Sequence, residues 1–178
     1  IDRVDTDGRN AAVCDYKTGS PKLSLNEIME GLSLQLITYL LALSKTKDTK
    51  DLLPAAMMYI YLHGRPKSIS VPPNGIPHAK EKENTNGIFL NDPDVLRTLD
   101  SQSGTDDGFI GVSYVKDGSI KKTSPVLTAE QFEALKALTE KILIRLYSRL
   151  ESGEIAIHPV KNGTLSPCSY CCLLYTSP

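Results

Sequence analysis

An Asp-Gly dipeptide, Asp7-Gly8, separates two strand-like runs, IDRVD and AAVCDYK, at the start of the chain. No other feature limits the fold as tightly. A two-residue hairpin turn needs φ > 0 at its centre, and Asp-Gly adopts that conformation at little cost. The first segment is therefore predicted to be an antiparallel strand pair. With Asp7-Gly8 as the loop, Asp2 lies opposite Val13. Val13, Asp15 and Lys17 share a face, because residues two apart on a strand point the same way. Asp2 and Asp15 then become diagonal neighbours, about 7–8 Å apart and closer at Cβ. A loop of odd length would send them to opposite faces.

The hairpin is followed by SLNEIMEGLSLQLITYLLALSK, which has apolar Ile28, Leu32, Leu36, Leu40 and Leu43 at helical spacing. Ser24 and Glu27 form a capping-box pattern, so one helix over about 25–45 is predicted. Gln35 and Tyr39, four apart, project together from it, and Gly31 and Ala42 lie on the same stripe. PAAMMYIYLHG (54–64) reads as a mostly buried third strand. Residues 65–87, rich in Pro, Lys, Asn and Ser, read as an irregular loop. DPDVLRTLD (92–100) is a short helix with Pro93 in its first turn. FIGVSYVKDGSIKKTS (109–124) reads as a second hairpin around Asp117-Gly118 or as a strand-like arm. A long helix opens at Thr128 and Gln131, another capping box, and closes at Gly153. Phe132, Leu135, Ile142, Leu146 and Leu150 mark its expected buried stripe. GEIAIHPVKNG is an extended exit. The order β-β-α-β, smaller elements and a long helix indicates a mixed α/β domain.

The 178 residues suit one domain with a real core. A net charge of -1 with mixed signs excludes a global basic field for nucleic acid, though not a local groove. No apolar run reaches membrane-spanning length. The opening on a strand without Met reads as a piece of a longer polypeptide. Four cysteines, one in the first hairpin and Cys168, Cys171 and Cys172 near the end, do not form a secreted disulfide framework. A cytoplasmic location is expected.

Asp2, Asp15 and Lys17 carry the first candidate chemistry. A hard cation such as Mg²⁺ takes carboxylate and carbonyl oxygens, and Asp2, Asp15 and the Tyr16 carbonyl offer them. Lys17 would then stabilise developing negative charge or orient water. From spacing alone, an ordinary surface ion pair explains Asp15 and Lys17 as well, because D-x-K is a weak pattern. Gln35 and Tyr39 are equally compatible with a plain polar helix surface or with a phosphate or base contact. Cys168 and Cys171 form C-x-x-C, half of a four-ligand metal site. Cys172 is awkwardly adjacent, and Cys14 reads as a buried free thiol. His63, His78 and His158 lack ligand spacing.

Taken together the pieces are far more specific. IDRVD, VCDYKTG, LQLITYL and GEIAIHPVK followed by PCSYC resemble the C-terminal nuclease domain of the helicase/deoxyribonuclease B-subunit family. That family lies within the RecB-type PD-(D/E)XK nucleases. GIFLNDPDVLRTLD and SPVLTAEQFEALK share the likeness, which runs from residue 1 to about 171. It implies a restriction-endonuclease-like core, a central mixed sheet flanked by helices, here truncated at both ends. Residues 172–178, CLLYTSP, leave the family pattern and read as a non-native tail.

The resemblance also implies roles. Asp2 matches the first metal-binding acid, and Asp15 and Lys17 match the acid and lysine of the D-x-K motif. Gln35 and Tyr39 match Q-x-x-x-Y. Cys168 and Cys171 match two of the four ligands of a 4Fe–4S cluster, whose other ligands are missing from the sequence. The implied activity is Mg²⁺-dependent hydrolysis of single-stranded DNA at a broken end, in a heterodimer with the A-subunit of the helicase–nuclease. Three rivals remain. One is a stand-alone RecB-type exonuclease of the kind linked to CRISPR adaptation. Another is a non-catalytic DNA-holding module, against which the intact Asp2, Asp15 and Lys17 speak. The third and weakest is a generic metal-binding structural domain.

Overall fold

The computed structural model describes residues 1–19, 21–62, 85–105, 108–156, 159–160 and 168. Strands β1 (Arg3–Thr6) and β2 (Asn10–Lys17) form the expected hairpin. Its register pairs Val4 with Val13 and Thr6 with Ala11. The two-residue loop is therefore Gly8-Arg9, one residue later than predicted. Gly8 has φ 88°, and Ser33 is the only described non-glycine residue with positive φ. A turn with φ > 0 at its first centre needs glycine there and tolerates Arg after it. Asp7 stands before the loop and caps it. Its carboxylate accepts from the Asn10 side chain at 2.9 Å and from the backbone N–H groups of Asn10 (2.6 Å) and Arg9 (2.9 Å). These bonds hold the Asp7 carboxyl down at about 2, the Asn10 side chain contributing most. The shift changes the strand pairing by an even step, so the faces are preserved.

β3 (Leu53–Tyr61) pairs in parallel with β2, setting Asp15 beside Tyr59 and Lys17 beside Tyr61. β4 (Thr85–Leu90) runs antiparallel to β3, and β5 (Val126–Leu127) runs parallel to β4. The five strands form one mixed sheet in sequence order, an α/β architecture as expected. β4 takes residues 85–87 out of the predicted loop; His63, Gly64 and the loop's residues 65–84 lie outside the described residues. Gly87 belongs there for a reason other than turning. A Cβ at that position would stand 2.6 Å from Met58 Cβ and 2.8 Å from the Met57 carbonyl oxygen. We expect Gly87→Ala to lower stability by about 1–3 kcal/mol through overpacking. Chemical denaturation checks this, and an unchanged midpoint would contradict the close strand approach.

The predicted helix over 25–45 is two helices, α1 (Leu25–Met29) and α2 (Gln35–Lys45). Gly31 (φ 83°) and Ser33 (φ 50°) break it, and left-handed backbone cannot continue an α-helix. The capping box is half made. Ser24 Oγ accepts from Glu27 N at 3.5 Å, but the Glu27 carboxylate accepts instead from Ser33 Oγ at 2.6 Å, across the break. Gly31 consequently does not share a helix with Gln35 and Tyr39. α3 (Pro93–Leu99) is the predicted short helix, capped by Asp92 through the N–H groups of Asp94 and Val95. At the second hairpin, Tyr114 bridges Ile120, and Gly118 supplies φ 84°.

Two apolar layers cover the sheet. Val13, Met57, Tyr59 and Ile88 pack with Ile28 of α1, Leu36, Ile37 and Leu40 of α2, and Phe132 and Leu135. Ala12, Cys14, Ala56, Met58 and Phe89 pack on the other face with Leu96 of α3, Ile110 and Val112. Cys14 is a buried free thiol, as expected, and burial pushes it up to about 11.

The last helix, α4 (Ala129–Glu151), opens with a reciprocal box. Thr128 N donates to Gln131 Oε1 and Gln131 N to Thr128 Oγ1. It closes at Gly153, whose φ is 71°. The chain divides into two compact units, residues 1–140 and 141–178. In the first, α4 buries Phe132, Leu135, Lys136 and Thr139. In the second, the predicted stripe fails: Leu146 and Leu150 are exposed, and Ile142 is half-buried. Helical spacing persists along this half, but among the described residues its apolar stripe is not buried. Among the described residues, no helix is long and apolar enough to cross a membrane.

Candidate active site

β2 is buried through Asp15 and emerges at Tyr16 and Lys17. Its apolar stretch belongs to the core, and its charged end reaches the rim of the sheet. Asp15 is only 4% exposed, an environment in which a carboxylate needs charged or hydrogen-bonding partners. It has them. Lys17 Nζ lies 2.6 Å from Asp15 Oδ2, and Gln35 Nε2 donates to Oδ1 at 2.9 Å. Gln35 also accepts from Lys17 Nζ at 3.0 Å, and its amide donates to Tyr39 Oη at 2.9 Å. The two neighbours orient this amide, because an ammonium can only donate and a carboxylate only accept. One glutamine at the first position of α2 thus ties together the two charged ends of the D-x-K motif.

Asp2 joins from β1's edge. Extending the observed pairing one step beyond Arg3 and Cys14 sets Asp2 opposite Asp15, closer than the diagonal arrangement predicted. The Tyr16 N–H donates to Asp2 Oδ2 at 3.0 Å and holds the carboxylate there. The Tyr16 side chain turns to the other face, where its hydroxyl accepts from Arg3 Nη1 at 3.4 Å. Hydrogen bonding to Asp15 raises the Lys17 ammonium above its ordinary value, with smaller contributions from nearby charges including Asp2. Lys17 is therefore a firm cation suited to stabilising negative charge, and a poor proton acceptor.

Three contributors escape the sequence reading. Tyr59, beside Asp15 on β3, puts its ring under Lys17, with Nζ 5.3 Å from the ring centroid. Burial raises its phenol, keeping it protonated. Tyr61 Oη donates to the Pro21 carbonyl at 2.5 Å and fastens the segment leaving β2. Asn86, next to Tyr59 on β4, accepts from Leu23 N through Oδ1 at 2.5 Å. The alternation of Tyr59 and Tyr61 within an apolar run is the one local signal for the first two. It becomes meaningful only when the parallel register is known.

The donor set fits a hard divalent cation. Asp15 Oδ2 is buried, with the Lys17 ammonium against it at 2.6 Å. A second carboxylate stands across the hairpin. Two carboxylates with a backbone carbonyl suit Mg²⁺, which keeps several waters and needs few protein ligands. Among the described residues, no group of three or more His, Cys, Asp or Glu side chains forms a larger cage. A cavity of about 270 Å³ lined in part by Arg3, Asp5, Asn10 and Thr98 borders none of the site residues. Cys168 is half-buried. Cys171, Cys172, His63, His78 and His158 lie outside the described residues.

A family model of the PD-(D/E)XK nuclease superfamily matches residues 1–173. The B-subunit of the ATP-dependent helicase/deoxyribonuclease of Desulforamulus reducens is 33% identical over 182 residues, covering 96% of this chain and 16% of that protein. The protein of the same name from Clostridium kluyveri is 33% identical over 183 residues, with the same coverage. That of Acetivibrio thermocellus is 29% identical over 98% of this chain and 16% of its own length. The chain thus spans about a sixth of the length of the curated relatives it matches. With the mixed sheet, the acid–lysine pair at the end of β2 and the match over residues 1–173, the chain belongs to the PD-(D/E)XK nuclease superfamily.

Proposed function

We propose that this chain is the nuclease domain of a helicase–nuclease that trims broken DNA ends for recombinational repair. It would hydrolyse phosphodiester bonds in a single strand delivered by the motor, with the A-subunit of the helicase–nuclease as partner. The observation that carries this reading is the convergence on one face of Asp15, Lys17, Gln35 and Tyr39, with Asp2 across the hairpin. The names of the B-subunit relatives support the helicase context.

In this reading Asp2, Asp15 and the Tyr16 carbonyl hold Mg²⁺, which when bound would polarise the phosphate and acidify a water. The protein's own residues do the rest. Lys17, already cationic and partly exposed, places positive charge where the phosphorane gains negative charge. Gln35 fixes the Lys17 and Asp15 side chains relative to each other, and Tyr39 holds the far side of the amide. The first turn of α2, whose N-cap Leu34 makes no side-chain bond, brings backbone N–H groups that favour an anion nearby. The cluster assignment stays with Cys168 and Cys171, a pair that falls short of the four ligands a 4Fe–4S centre takes. The mechanism uses no cluster.

Metal binding separates this reading from a domain that merely holds DNA. Mn²⁺ titrated into the chain should broaden the resonances of residues around Asp2 and Asp15. Asp2→Asn should weaken that binding by about tenfold or more, the loss usual when a metal site is perturbed. Equal affinity in wild type and variant would remove Asp2 from the site.

A further inference from the structure

We propose that Tyr59 is a positioning residue for Lys17, holding the ammonium in place while Asp15 is engaged elsewhere. The proposal rests on the nuclease reading and extends it to a residue on a different strand.

Three groups hold the Lys17 ammonium: the Asp15 carboxylate at 2.6 Å, the Gln35 amide oxygen at 3.0 Å and the Tyr59 ring at 5.3 Å. The first two are polar groups of the proposed cation and phosphate site. A cation on the Asp15 carboxylate would compete with the ammonium for the same oxygens, and the Gln35 amide is shared with Asp15 and Tyr39. The ring has no such competing demand. A lysine side chain has four rotatable bonds and much rotamer freedom to lose, so an ammonium released by Asp15 would swing into solvent unless something else attracts it. An aromatic face within about 6 Å of a cation does so through its quadrupole.

Tyr59 itself is firmly placed. It is 5% exposed, lies in the core layer with Val13, Met57 and Leu36, and stands beside Asp15 in the parallel register. It therefore brings rigidity from the core to a flexible side chain at the rim. The attraction comes from the π face, so phenylalanine should replace it and an aliphatic residue should not.

The first test uses neither metal nor DNA. In the wild-type chain, the ring current of Tyr59 should shift the Lys17 ε-methylene protons upfield. Tyr59→Phe should keep the shift and Tyr59→Leu should abolish it. The second test is steady-state cleavage of single-stranded DNA. Tyr59→Leu should lower kcat about tenfold with KM little changed, and Tyr59→Phe should restore it. Should Tyr59→Leu fail to fold, trifluorophenylalanine at position 59 keeps the ring's shape while weakening its quadrupole, and should lower kcat relative to phenylalanine. An unshifted Lys17 in wild type, or equal kcat for phenylalanine and its fluorinated form, would overturn the proposal. A wild-type protein that cleaves no DNA would instead overturn the nuclease reading, leaving the Tyr59–Lys17 contact to be judged by the shift alone.

Discussion

Lys17→Met should lower the rate of DNA cleavage by about a hundred- to a thousandfold, the loss typical when one stabiliser of developing charge is removed. Met keeps much of the aliphatic stem, so packing against Tyr59 survives and the charge goes. Metal affinity should hold or rise, since the ammonium no longer competes for Asp15 Oδ2. The fold should persist, because Gln35 still donates to Asp15 Oδ1 and the Lys17 side chain is 30% exposed. Single-turnover kinetics beside a Mn²⁺ titration separate these outcomes. Unaltered cleavage would leave the acid–lysine pair as a structural ion pair, the bland reading that D-x-K spacing alone allows.

The asymmetry between metal affinity and rate is diagnostic. A lysine that only neutralised a buried acid would change stability when removed, with little specific effect on the chemical step. A lysine that acts on the reacting phosphate changes the rate and leaves substrate binding nearly untouched. Its raised ammonium already argues against a role as proton acceptor in the ligand-free site.

How much of this is legible in the residues depends on whether the governing interaction is local. Thr128 and Gln131 announce the start of α4 because both halves of the box lie within one turn. Pro93 and Asp92 announce α3 for the same reason. Gly8 announces a hairpin, yet the loop falls one residue later than Asp7-Gly8 suggests. The Asp7 carboxylate caps the turn from outside it. The face shared by Asp2 and Asp15 survives because only the parity of the register matters to it.

Elsewhere tertiary context decides. The apolar period runs straight through Gly31 and Ser33, so nothing in the spacing reveals that α1 and α2 are separate helices. Thr85, Asn86 and Gly87 look like turn residues, but Gly87 is small because β3 passes close by. Along α4 the apolar period continues to Leu150, while burial stops after Thr139. In the site, Asp15 with Lys17 and Gln35 with Tyr39 are each recognisable as pairs by strand and helix periodicity. Their meeting, and Tyr59's place beneath Lys17, depend on a parallel register across a helical crossover. No local pattern encodes that register. The family resemblance supplies the link between the pairs, and Tyr59, which belongs to neither motif, stays outside it.

The most direct measurement is Mg²⁺-dependent cleavage of end-labelled single-stranded DNA by the helicase–nuclease that the proposed function assigns to this domain, comparing wild type with Asp15→Asn. Asparagine keeps the size of Asp15 and an oxygen to accept from Gln35, so the fold is spared, and melting temperature verifies it. What it removes is the charge that pairs with Lys17 and would hold a hard cation. Wild type should cut, chelation should stop it, and Asp15→Asn should lose about a thousandfold or more of cleavage while unwinding continues. Cleavage by Asp15→Asn at the wild-type rate, with unwinding intact, would contradict this and place the nuclease centre elsewhere.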